Sequence, residues 1–150
     1  LNSLTNIAGG ESAGIPYASL LAQKLKLPLS YIRKEKKKFG KKSQIEGDIK
    51  YNDKVLLVED LITDGSSKYN FIEAVEEVGG RIKAIFVIFN YGINKEFLEY
   101  NGKKIKIISL AKWEDVLNIL KLKNIFPQKE ISSIVNFLTS MGIKNLKSFL

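Results

Sequence analysis

Val55, Leu56, Leu57 and Val58 form an apolar run without alternation, and the run stops on two adjacent carboxylates, Glu59 and Asp60. A strand with one wet face alternates apolar and polar residues, whereas an unbroken run describes a strand covered on both faces. Covering a strand twice calls for helices above and below it, and those helices join parallel neighbours. Apolar residues at Ile15, Ala18, Leu21, Ala22 and Leu25 predict a helix over 15–25, stopped by Pro28. Helices are also predicted over 67–78, closed by Gly79 and Gly80, over 113–122, and over about 128–138. In the last of these Ile131, Ile134, Val135 and Leu138 share a face, and in the one before Trp113, Leu117 and Leu120 make a core-facing stripe. Strands are predicted over 4–8, 29–32, 54–59, 82–90 and 104–109. The expected fold is therefore α/β, a mostly parallel sheet flanked by helices. It forms a single domain over 1–150, with a C-terminal helical extension over about 123–150.

Composition narrows the chemistry. The 150 residues hold neither cysteine nor histidine, which excludes disulfides, thiolate catalysis, a zinc site and a histidine base within this chain. Lysine and arginine number 24 against 16 acids, a formal net charge of +8. Such an excess invites a polyanionic partner, either nucleic acid or a phosphorylated small molecule. No apolar run approaches the roughly 18 residues of a membrane span, and no signal-peptide pattern opens the chain, so no membrane partner is expected. Residue 1 is Leu and the one methionine is Met141, so a natural N-terminal portion is expected to be missing.

In open parallel sheets ligands gather at the carboxyl ends of the strands. One such end carries Gly9, Gly10, Glu11, Ser12, Ala13 and Gly14; another carries the acids, then Leu61, Ile62, Thr63, Asp64, Gly65, Ser66 and Ser67. Small residues entering a helix expose backbone N–H groups and hydroxyls, which suits a phosphate. Glu59 and Asp60 would repel a phosphate, and suit instead the two hydroxyls of a ribose, or a magnesium ion held through water. A plain strand–turn–helix, with Asp64 and Ser66 as turn and cap residues, is the alternative. Between 33 and 42 lies a basic run of Arg33, Lys34, Lys36, Lys37, Lys38, Lys41 and Lys42. It could be a solvated loop, a nucleic-acid patch, or a lid of cations that closes over a departing diphosphate. Glu46, before Gly47, reads as either a hinge of that lid or a simple turn.

The stretch VLLVEDLITDGSS resembles the phosphoribosyl-diphosphate signature of the type I phosphoribosyltransferases. Within that family the likeness is greatest to the orotate-using branch. YIRKEKKKFGKKSQIEGDI, residues 31–49, is similar to its mobile catalytic loop, and GGESAGIPYASLLAQKL, residues 9–25, to its diphosphate loop and following helix. The likeness runs from the first residues to about Leu120 and implies a Rossmann-like type I core whose hood is largely missing.

The resemblance implies transfer of ribose 5-phosphate from phosphoribosyl diphosphate to orotate, in pyrimidine nucleotide synthesis. It implies a cytoplasmic homodimer with shared active sites and no nucleic-acid partner. Magnesium is the implied cofactor, bound mainly through substrate and water rather than by a direct protein site. By carry-over, Lys37, Arg33, Lys34 and Asp60 are the catalytic residues: Lys34 and Lys37 in a mobile loop at 34–45, Arg33 just before it, and Asp60 in the acid pair. Phosphoribosyl diphosphate would lie on Arg33, Lys34, Lys37, Glu59, Asp60, Leu61, Ile62, Thr63, Asp64, Gly65, Ser66 and Ser67. Lys34 would reach the neighbouring subunit's site. Gly10, Glu11, Ser12, Ala13 and Gly14 would form the diphosphate loop, and Thr63 and Tyr91 would face orotate. Three positions depart from the family pattern: Phe39 replaces a loop histidine, Asn90–Tyr91 stands where an arginine holds the orotate carboxylate, and Ala13 replaces a lysine found in some members. Rival expectations are a transferase for another base, or a non-enzymatic nucleic-acid-binding member of the fold.

Overall fold

The computed structural model describes residues 3–36, 43–93, 96–144 and 146–150. Seven strands form one sheet in the order β3-β2-β1-β4-β5-β7-β6. They are β1 (Asn6–Gly10), β2 (Leu29–Ile32), β3 (Ile45–Glu46), β4 (Lys54–Ile62), β5 (Arg81–Asn90), β6 (Phe97–Tyr100) and β7 (Lys103–Lys112). The five central strands pair in parallel, and the two edge strands, β3 and β6, are antiparallel to their neighbours. Helices α1 (Gly14–Leu25) and α2 (Ser66–Glu77) return the chain after β1 and β4, and α3 (Trp113–Leu122) and α4 (Gln128–Ser140) follow β7. The expected α/β class is what the chain adopts.

The apolar run of β4 behaves as its pattern requires. Val55 and Leu57 enter a core with Phe71, Ile72 and Val75 of α2, while Leu56 and Val58 enter another with Ala18 and Ala22 of α1. A third cluster joins α3 and α4 through Leu117, Ile131, Val135 and Leu138, with Tyr91, Trp113, Leu120 and Ile134 packed against it. The face predicted for the last helix and the stripe predicted at Trp113 are both the ones buried.

Five strands differ from expectation: β1 is shifted to Asn6–Gly10 from the expected 4–8, so Gly9 and Gly10 lie within it, and β3 is an addition. β4 runs through the acids to Ile62, because β5 continues to Asn90 and pairs Glu59 with Val87 and Leu61 with Phe89. The backbone at the carboxylates is thus locked in the sheet, and only Thr63 onward is loop. β7 likewise extends past Ser109 to Lys112, opposite Phe89 and Asn90 of β5. β6 is a further addition, pairing antiparallel with β7 at the sheet edge.

Close approach of α1 to β4 depends on glycine. A Cβ on Gly14 would overlap the carbonyl oxygen of Val58, and one on Gly9 would stand 2.8 Å from the Cα of Ile15. Backbone on both sides leaves little room to yield. Gly14→Ala is therefore expected to lower unfolding stability by about 1–3 kcal/mol, read as a reduced urea midpoint; an unchanged midpoint would show that α1 can shift at no cost.

Candidate active site

A cleft of about 470 Å³ opens at the carboxyl ends of β1 and β4. Glu11, Ser12 and Ala13 line it from the loop after β1, Glu59, Asp60 and Leu61 from β4, Ser67, Lys68, Asn70 and Phe71 from α2, and Lys34 from beyond β2. The glycine loop and the acid pair, distant in sequence, thus share one space. Gly10 and Gly14 are the closest approach between them: a side chain at either would run into the Glu59 carboxylate. The Glu11–Ser12 peptide in this loop is cis.

The two acids have different surroundings. Glu59 is buried, and its Oε2 is paired with the equally buried Nζ of Lys68 from α2. Burial pushes the Glu59 carboxyl above the ordinary glutamate range, while the hydrogen bond and charge of Lys68 pull it back. Asp60 is half-buried and lines the cleft, and its carboxylate forms no ion pair among the described residues. Lys68 escaped the sequence reading, although its spacing to Phe71, Ile72 and Val75 puts it on the core-facing side of α2. A lysine on an apolar stripe, nine residues after a strand carboxylate, was the available signal.

From 63 to 67 the chain turns tightly into α2. Gly65 caps the helix at φ 83°, in the left-handed region that glycine tolerates best. Asp64 Oδ1 accepts the Ser66 N–H at 3.1 Å and the Ser66 hydroxyl at 2.9 Å. These bonds hold the Asp64 carboxyl below the ordinary aspartate range. Asp64 and Ser66 thus shape the turn, but the cap position belongs to Gly65 and no side chain caps the helix; the loop carries its own anion. Of this loop, Ser67 reaches the cleft; Thr63 is half-buried, and Asp64 and Ser66 are exposed.

Arg33 and Lys34 leave β2 beside the cleft. The Arg33 Nε donates to Glu46 Oε1 at 3.0 Å, one terminal nitrogen donates to the Tyr31 hydroxyl at 2.9 Å, and another lies 3.9 Å from Glu11. The Glu46 bond raises its already high pKa further. Arg33 thus addresses Glu46, itself in β3 rather than a bare turn, and lines a neighbouring groove with Glu11, Ser12, Lys34 and Lys36. The Lys34 N–H donates to Glu11 Oε2 at 2.8 Å, and its carbonyl accepts from Asn70 Nδ2 on α2. Gln44 Nε2 donates to the Arg33 carbonyl at 2.9 Å and to Asn70 Oδ1 at 3.1 Å. Asn70, absent from the sequence reading, thereby fastens residues on both sides of the basic run to α2. Lys37, Lys38, Phe39, Lys41 and Lys42 lie outside the described residues.

Tyr91 and Thr63 sit on adjacent strand ends but do not line a common cavity. The Tyr91 N–H donates to the Ile62 carbonyl at 2.9 Å. Its ring packs edge-on against Phe89 and Trp113, at 5.6 and 6.0 Å between centroids. Beside it a second cavity, of about 200 Å³, is lined by Asn90, Tyr91, Lys112, Trp113, Glu114 and Lys144. The Asn90 carboxamide oxygen accepts the Gly92 N–H at 2.7 Å. Among the described residues no cluster of three or more acidic or other ligating side chains could hold a metal, and no helix is long and apolar enough to cross a membrane.

The family described as phosphoribosyl transferase domain matches residues 3–118. An orotate phosphoribosyltransferase of Roseobacter denitrificans is 42% identical over 134 residues, covering 89% of this chain and 60% of that protein. The chain therefore spans about 60% of the length of such curated relatives. The crystal structure of orotate phosphoribosyltransferase from Aeropyrum pernix superposes with a TM-score of 0.64 at 29% identity, over 79% of this chain and 66% of that one. Leishmania donovani UMP synthase shares the fold, with a TM-score of 0.70 at 22% identity over 91% of this chain and 29% of that one.

A lowered carboxyl pKa contributes stability that is complete above the ordinary aspartate value and is lost as pH falls through the folded value. Asp64→Asn is accordingly expected to flatten the acid-side loss of stability. The melting temperature should differ less between about pH 7 and about pH 3 in the variant than in the parent; an equal difference would contradict the role given to Asp64.

Proposed function

The chain belongs to the phosphoribosyl transferase domain family, and from that premise we propose that it is the catalytic core of an orotate phosphoribosyltransferase. The carrying observation is the single cleft that gathers the glycine loop after β1, Asp60 of β4 and Ser67 of α2. The names of relatives at 40–42% identity support orotate as the base.

In the proposed reaction the bond from ribose C1 to the diphosphate oxygen breaks and a bond from C1 to an orotate ring nitrogen forms. Orotidine monophosphate and diphosphate are the products. The attacking nitrogen gives up its ring proton as the new bond forms, and the departing diphosphate can accept it, so no histidine base is needed. Asp60 receives the ribose hydroxyls. Residues 63–67 take the 5-phosphate, the Asp64 carboxylate giving way on Ser66. The backbone of 10–14 and the cations Arg33, Lys34 and Lys37 take the leaving diphosphate. Arg33 would exchange Glu46 and Glu11 for phosphate oxygens, a swap among charged partners at the surface.

Magnesium fits as a passenger on the substrate. Glu59 is committed to Lys68, and Asp60 alone of the pair can meet a hydrated ion. Such an ion, when bound, neutralises diphosphate charge. A homodimer exchanging Lys34 between sites, a cytoplasmic setting and a place in pyrimidine nucleotide synthesis complete the reading.

The test is an assay with phosphoribosyl diphosphate and magnesium against orotate, uracil, hypoxanthine and adenine. Orotidine monophosphate should form from orotate alone, and Asp60→Asn should lower kcat/KM about 100-fold or more. Turnover of another base without turnover of orotate would overturn the assignment.

A further inference from the structure

Among the charged groups of the cleft, one pair belongs to the interior. Lys68 is 4% exposed and Glu59 5% exposed. Lysine and glutamate are seldom buried so deeply without each other, since either charge alone is costly to remove from water. The pair links three parts of the site. Lys68 stands in the first turn of α2 and Glu59 near the end of β4, while the second carboxylate oxygen, Oε1, lies over the loop after β1, where a Cβ on Gly14 would come within 2.7 Å of it. Both residues line the cleft.

The charge pattern gives the pair a purpose. Glu11, Glu59 and Asp60 bring three acids to a cleft read as receiving a substrate with several phosphate charges. Lys34 and Lys68 are the cations among its described lining residues, and Ala13 adds none. Lys34 is exposed and leads into the basic run, whereas Lys68 is fixed by burial among Phe71, Ile72 and Val75 of the same helix. An uncompensated carboxylate at Glu59 would face the incoming diphosphate through a medium of low dielectric, where repulsion is strong.

We propose that Lys68 is a positioning residue of the phosphoribosyl site, which cancels the charge of Glu59 and holds that carboxylate between the glycine loop and α2. The inference rests on reading the cleft as the phosphoribosyl diphosphate site. It assigns to α2 a role beyond presenting its N-terminus: the helix supplies the counter-ion that makes a motif acid compatible with a polyanion. Lys68 acts through Glu59 and does not itself touch the diphosphate.

A double-mutant cycle separates that role from direct contact. Binding of phosphoribosyl diphosphate with magnesium is measured by calorimetry for the parent, Lys68→Met, Lys68→Arg, Glu59→Gln and the Glu59→Gln/Lys68→Met double variant, with melting curves for each. Lys68→Met should weaken binding about tenfold or more and lower the melting temperature, because it strands a buried carboxylate. Lys68→Arg should recover most of the affinity. In the Glu59→Gln background, loss of Lys68 should change affinity by less than about threefold, since the charge it cancels is gone. Where Lys68→Met does not fold, the double variant against Glu59→Gln, with Lys68→Arg against the parent, decides the matter. Parent-like binding by Lys68→Met, or an equal loss in the Glu59→Gln background, overturns the inference while leaving the site reading intact. A parent protein that does not bind the ligand fails the site reading itself.

Discussion

A strand that is apolar on both faces needs a helix on each, and β4 imposes this on the whole molecule. Its neighbours β1 and β5 run parallel to it, so the chain crosses back through α1 and α2 and both crossovers begin at the same end of the sheet. The loops after β1 and β4 are therefore brought together by topology before any side chain has a say. Glycine at 10 and 14 then lets the first loop settle against the Glu59 carboxylate. The cleft follows from the burial of four apolar residues more than from any contact within it.

Electrostatics decide how that cleft can be used. Its acids are not equivalent: Glu59 is neutralised from behind by Lys68, whereas Asp60 faces the open space. Under the proposed function, ligand hydroxyls would find an available carboxylate at Asp60, and phosphate groups would be spared the repulsion of a second one. The same economy recurs at the rim, where Glu11 and Glu46 hold Arg33, and where Asp64 occupies the Ser66 donors. Each is an internal anion sitting where a phosphate oxygen would be welcome.

Periodicity made much of the fold legible. The helical faces at Ile131, Val135 and Leu138 and the stripe through Trp113 and Leu117 are spaced at 3.6 residues and are the faces buried. The unbroken run in β4 announced a doubly covered strand for an equally physical reason. Strand ends were less legible, because pairing partners set them: β4 passes through its own acids only because β5 is long enough to accompany it. β6 is likewise defined by the edge it joins. Of the site, the acids and glycines were readable as types in a pattern. Their partners were not, since Lys68, Asn70 and Gln44 meet them across sequence gaps that no local spacing encodes.

The central claim is that the turn from β4 into α2 and the loop after β1 hold the two ends of one phosphoribosyl diphosphate molecule. A crystal structure of the protein with that ligand and magnesium tests it most directly. The account predicts the 5-phosphate on the backbone N–H groups and hydroxyls of residues 63–67, with Asp64 displaced from Ser66. It predicts the ribose hydroxyls on Asp60 and the diphosphate along residues 10–14. A ligand bound elsewhere, with Ser66 still donating to Asp64 and the cleft between β1 and β4 empty, would contradict it.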